Sequence, residues 1–280
     1  MANMIDREEI KLTESHVRMV DSGWGKEVTQ HSIVEKITYL SDGLKVKGYL
    51  AYPHRILKGN KIPLIIWNRG GYKENGVIDS FTARGMFGQI ASWGYAVLAS
   101  QYRGNDGGEG EEELGGKDVN DIKNLFPVAE ELQFIDTNTA GVEGWSRGGM
   151  MTFILLKEMH NFKCAVLSGA ISNLKSITGS EKDVNRNYEK IVGNDFEKKI
   201  KERSAINFTN SLPDIPYLLM HGSADNTVPV EQTIELAKKF SAEGKNYRLV
   251  IFEEGDHYLK NHRKEVDRLR KYWFDRYLKT

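Results

Sequence analysis

The sequence is nearly free of cysteine: Cys164 stands alone among 280 residues. That excludes an internal disulfide framework and thiolate-rich metal sites. Charge of one sign is also lacking. Thirty-nine basic side chains balance thirty-nine acidic ones, for a formal net charge of zero. Nucleic-acid binders usually carry a basic excess, so no nucleic-acid partner is expected. No apolar run approaches the roughly 18 residues that a membrane helix needs. The polar opening, Met1–Ile10, has no apolar signal core. A cytoplasmic protein with no membrane partner is the expectation.

What is present suits a large core. The chain is 40% hydrophobic, enough for one large α/β domain or two small ones. Residues 1–32 are polar and read as an N-terminal extension, with helical periodicity over Glu8–Val20 broken at Asp21–Gly25. Ile33–Tyr39 and Leu44–Ala51 alternate around Ser41-Asp42-Gly43, a β-hairpin pattern. From residue 62 onward strands alternate with helices. Ile62–Trp67, Tyr95–Ser100, Phe162–Leu167, Tyr217–Met220 and Tyr247–Phe252 read as strands. Thr82–Trp93, Lys117–Phe134 (interrupted near Pro127), Met150–Met159, Val230–Ala242 and Arg263–Leu278 read as helices. The charged stretch 169–212 shows no strand pattern and reads as short helices in a small cap or insert. Together these predict an α/β fold over residues 33–280. Its central sheet is mostly parallel, with helices on both faces and an antiparallel hairpin at its head.

The chain is organised around Gly144-Trp145-Ser146-Arg147-Gly148. A β-favouring run, Thr139–Val142, leads in, and the helical run leads out. G-x-S-x-G between strand and helix is the nucleophile-elbow pattern of α/β-hydrolases. A serine hydroxyl needs an adjacent base, usually an imidazole oriented by a carboxylate. Of seven histidines, His257 sits in the loop straight after the last strand, where a base is expected. Asp225, in the loop after His221, falls between Ser146 and His257 in chain order and is the orienting carboxylate. Asp256 competes for that role. The backbone N–H groups of Arg147 and Gly71 are the expected oxyanion donors. Arg69, Tyr72 and Trp145 lie beside them in sequence and are expected to line the substrate site. No cofactor and no metal are called for. His221 reads as a structural histidine and Asp118 as a helix cap. The run Glu109 and Glu111–Glu113 reads as a solvated loop, and Cys164 as a buried small hydrophobe.

These motifs combine with others: Gly48-Tyr49-Leu50, Pro63-Leu64, Tyr102-Arg103-Gly104, Gly115-Gly116-Lys117-Asp118-Val119, Val228-Pro229-Val230 and Gly255-Asp256-His257. As a set, from about Ile33 to the C-terminus, the chain resembles the catalytic domain of the prolyl oligopeptidase family of serine peptidases. The resemblance implies an α/β-hydrolase domain without the family's β-propeller, with Ser146, Asp225 and His257 as its triad. Arg69 stands where many members have His or Tyr before the glycine pair. The function expected is a serine hydrolase that cleaves an ester or amide bond of a small substrate through an acyl-enzyme on Ser146. A small ester or a short peptide is the expected substrate, with small acyl groups preferred. A small-peptide serine peptidase is one alternative. A non-catalytic binding protein on the same fold is another.

Overall fold

Met4–Glu9 forms a strand, β1, where the sequence pattern points to polar chain running into a helix. Its residues alternate in no apolar register because nearly all are exposed. β1 pairs antiparallel with β2, Ser32–Ser41, and its charged side chains suit a sheet edge. The helix expected from Glu8 starts instead at Glu14, where the Thr13 hydroxyl accepts the His16 N–H at 3.3 Å. It continues through Asp21 to Trp24, and a second short helix, Lys26–His31, follows. The computed structural model describes residues 3–57, 59–178 and 192–279.

Asp42 and Gly43 take φ of +51° and +81°. Two successive residues at positive φ make the tight turn whose twist matches paired strands. The turn joins β2 to β3, Leu44–Pro53, in register from Ser41↔Leu44 to Ser32↔Pro53. β4, Ile62–Asn68, and β5, Ala96–Ser100, are parallel neighbours, and β5 pairs antiparallel with β3. β6, Ile135–Trp145, is longer than the run expected from sequence. β7, Phe162–Ser168, β8, Tyr217–Gly222, and β9, Tyr247–Phe252, pair parallel in that order.

The chain folds as two compact units. One holds residues 1–112 with 120–141, the other 113–119 with 142–280. The strand order is β1-β2-β3-β5-β4-β6 in the first and β6-β7-β8-β9 in the second, β6 being the strand that runs from one into the other. Leu64, Ile65, Ile66 and Leu98 are fully buried in the first unit; Cys164, Ala165, Val166 and Leu218 are fully buried in the second. Those apolar runs are legible as two-sided burial in the sequence.

The helix expected over 117–134 is two, Asp118–Lys123 and Leu125–Glu130. The break falls at Asn124, ahead of Pro127, which sits in the first turn of the second helix where its missing N–H has no intrahelical partner to lose. In the stretch 169–212 the described helices are Leu174–Thr178 and Phe196–Arg203, with 3-10 turns at Ala205–Asn207 and Thr209–Ser211. Residues 179–191 of the expected cap lie outside the described residues. Among the described residues no helix is long and apolar enough to cross a membrane.

Candidate active site

β6 turns sharply into the helix Arg147–Glu158 at Ser146, whose φ is +57° and ψ −125°. A non-glycine residue held there costs about 1–3 kcal/mol, which the surroundings must offset. They do so through the Ser146 backbone. Its N–H donates to Ser168 O at 2.9 Å, and its carbonyl accepts from Ile171 N at 3.1 Å and from Gly149 N at 2.9 Å. The chain leaving β7 thus grips the serine from both sides. A Cβ on Gly144 would stand 2.3 Å from Gly148 O, so the turn closes only with glycine at that position. The serine is half-exposed at the head of the helix, as the motif predicts.

The residue after β7 makes the next link. Gly169, at φ +52°, leaves its Cβ position 3.3 Å from His257 Nδ1 and 3.4 Å from Asp225 Oδ2. A side chain there would press on both groups, so the glycine seats them beside the strand end that holds Ser146. His257 Nδ1 lies 2.7 Å from Asp225 Oδ2. Asp225 Oδ1 accepts the N–H groups of Thr227 and Val228, both at 2.8 Å. The expected competitor is occupied elsewhere: Asp256 Oδ1 accepts Tyr258 N and Lys260 N at 3.1 Å each. The structure therefore brings His257 together with Asp225.

Burial works to raise the Asp225 pKa. Hydrogen bonds from His221, His257 and the Val228 N–H outweigh it and hold the carboxyl well below the usual carboxylate range. The stability consequence has a definite sign. The unfolded carboxyl takes up its proton near pH ~3.9, the folded one only at lower pH. Its contribution is complete above that unfolded value and is lost as pH falls toward the folded one. The Tm difference between wild type and Asp225→Asn should shrink as pH drops from about 6 to about 3. A difference that stays constant over that range contradicts the arrangement.

Trp145 contributes its indole Nε1–H to His257 O at 3.1 Å, and its ring faces the Tyr258 ring at 6.2 Å. Tyr258 is 60% exposed beside the imidazole, a solvent-facing aromatic that its sequence position did not single out. Arg147 is buried. Its guanidinium bonds Asp118 Oδ2 at 2.8 Å, while Asp118 Oδ1 accepts Gly115 N at 2.9 Å. Asp118 is therefore no simple helix cap: it is the counter-ion of the residue after Ser146. Three residues before Ser146, Glu143 is also buried. It takes Arg270 of the helix Arg263–Leu278 in a two-pronged pair at 2.7 and 3.0 Å.

Arg69, Gly71 and Tyr72 lie in the first unit. Arg69 is 1% exposed, so its side chain is not presented to solvent. It donates to Gln101 O at 2.7 Å and to Glu112 Oε1 at 3.1 Å, and stacks over Tyr102 at 4.7 Å. Glu112 is correspondingly buried, in contrast to the solvated loop expected for its run. Its other oxygen accepts Lys73 N and Asn105 Nδ2. Gly71 has φ +67°, and Tyr72 caps the 3-10 turn Lys73–Gly76. Cys164 is buried in β7, and burial pushes its thiol pKa far up.

The sequence model of the prolyl oligopeptidase family matches residues 83–280. The chain belongs to the prolyl oligopeptidase family. It is a serine hydrolase with the α/β-hydrolase fold. Among its relatives, the Bacillus subtilis protein called uncharacterized peptidase YtmA is 29% identical over 82% of this chain and 88% of its own. Uncharacterized peptidase YuxL of the same organism is 31% identical over 90% of this chain but 41% of its own. The solved Pyrococcus horikoshii acylaminoacyl peptidase superposes over 98% of this chain and 45% of its own, with a TM-score of 0.76 at 23% identity. This family member therefore spans most of YtmA but under half of the other two.

Proposed function

We propose that this chain is a serine peptidase for short peptides, with Ser146 as nucleophile, His257 as general base and Asp225 as the carboxylate that orients it. The observation that carries this reading is the 2.7 Å hydrogen bond between His257 Nδ1 and Asp225 Oδ2. A proton on Nδ1 leaves Nε2 free to take the Ser146 proton. Attack of Oγ on the scissile carbonyl gives a tetrahedral oxyanion, for which the Arg147 N–H group, directly after the nucleophile, is a donor. The imidazolium then protonates the leaving amine, and water completes the cycle through the same base. The relatives are named as peptidases, which favours an amide bond as the natural target. Trp145, bonded to His257 O, is the substrate neighbour in this reading. Arg69, buried against Glu112, supports the Gly70-Gly71 loop instead.

The same acyl-enzyme opens activated esters. In the described part of the 169–212 stretch Ile171, Leu174, Ile200, Phe208 and Leu212 are buried and so are not open to an alkyl chain, which favours short acyl groups. The test is a panel of p-nitrophenyl esters from acetyl to palmitoyl beside prolyl and alanyl anilides and short peptides. Cleavage of peptides or anilides, with esters falling off as the chain lengthens, is the expected pattern. Ester turnover alone moves the assignment to an esterase. Rates that climb toward palmitoyl overturn the short-acyl preference.

A further inference from the structure

Asp225 Oδ2 does not serve His257 alone. His221, near the end of β8, brings its Nε2 to 3.2 Å from the same oxygen. That Nε2 is also 2.9 Å from Val228 O, so its one N–H is shared between the carbonyl and the carboxylate. A carbonyl oxygen only accepts, so Nε2 carries a proton. On the other side of the ring, Nδ1 lies 2.6 Å from Thr233 Oγ1. In the neutral ring Nδ1 accepts, so the Thr233 hydroxyl donates. The imidazole is fully buried, which makes each of these partners hard to replace by water.

We propose that His221 is a positioning residue for catalysis: its Nε2–H holds Asp225 Oδ2 in line with His257 Nδ1–H, and Thr233 holds His221 in the tautomer that can do so. The inference rests on the roles given above to Asp225 and His257. Its physical basis is the difference between the elements. Asp225 is on a loop, whereas His221 belongs to β8, which is paired on both sides by β7 and β9. Two backbone amides fix Oδ1. Without a second donor on Oδ2, the carboxylate can tilt about that anchored oxygen. A tilt of a few tenths of an ångström spoils the angle of the bond to His257 without loosening the fold. Thr233 lies in the first turn of the helix Glu231–Ala242 that follows Asp225, so the link closes within one stretch of chain.

Thr233→Val removes only the hydroxyl. It should lower kcat by roughly tenfold, with KM changed less than about twofold, while Thr233→Ser keeps wild-type kcat. His221→Gln, which retains an N–H donor on a less rigid stem, should also lose kcat. The double variant His221→Gln/Thr233→Val should lose no more than His221→Gln alone, because Thr233 acts through the imidazole. The His257 Nδ1–H proton resonance should move upfield in Thr233→Val and stay in place in Thr233→Ser. A Thr233→Val enzyme with unchanged kcat and resonance, or losses that multiply in the double variant, would overturn the proposal. If Thr233→Val does not fold, His221→Gln carries the test, and unchanged kcat there overturns the proposal equally. Asp225→Asn separates the two readings. If it stays active, the roles given to Asp225 and His257 fall. If it is dead while the Thr233 and His221 variants are intact, only the role of His221 falls.

Discussion

Ser146→Ala is expected to reduce kcat/KM by about 10⁵- to 10⁶-fold against the best substrate of the panel. The residual rate comes from binding and the oxyanion donors, which need no side chain at 146. The fold should survive. The bonds that hold the elbow use the Ser146 N–H and carbonyl, and alanine keeps both. Alanine meets the same penalty at φ +57° that serine already meets, so Tm should move by no more than a few degrees. Loss of activity with an intact Tm, together with loss of labelling by a fluorophosphonate, is the combined result to look for. A variant that keeps a tenth of the activity would place the nucleophile elsewhere.

Asp225→Asn is expected to cost about 10⁴-fold in kcat. Asparagine presents an amide NH₂ or a carbonyl to His257 in place of a charged acceptor. With NH₂ inward, the His257 proton is driven to Nε2, where it faces the serine and blocks deprotonation. With the carbonyl inward, the tautomer is right but the imidazolium loses its counter-charge. The His221 Nε2–H favours the carbonyl toward His257, whereas the Thr227 and Val228 N–H groups on the other oxygen favour the NH₂ there. Asp256→Asn makes the internal control. Its carboxylate accepts two backbone N–H groups of its own loop, and asparagine can accept them as well, so activity should stay near wild type. The reverse ranking of the two variants would put the carboxylate at 256.

The strand-to-helix turn at Ser146 and the meeting of His257 with Asp225 were legible because each residue follows a strand and because chain order limits the choices. Buried runs such as Leu64–Ile66 were legible for the same kind of reason: two-sided burial leaves no polar position. β1 was not legible. Its residues form one edge of the sheet and face water, so the alternation that marks a strand is missing from Met4–Glu9. Glu112 and Asp118 were misread for a different reason. An acidic run is usually solvated and an aspartate before a helix usually caps it, and only the partner shows otherwise; Arg69 and Arg147 lie far away in sequence. His221 was recognised as structural, but the 3.2 Å approach of its Nε2 to the carboxylate four residues on depends on how the loop folds back. Gly169 carries no motif at all, and its importance rests on the empty space beside His257.

The pair Glu143–Arg270 gives the end of the chain a reach beyond its own helix. Glu143 belongs to the strand that runs into Ser146, and its charge is matched from the helix Arg263–Leu278. A protein trimmed before Arg270 would keep every group assigned to the chemistry and yet strand a carboxylate in an apolar strand, at a cost of about 3–5 kcal/mol. Inactivation by such trimming would be a folding defect presenting as a catalytic one.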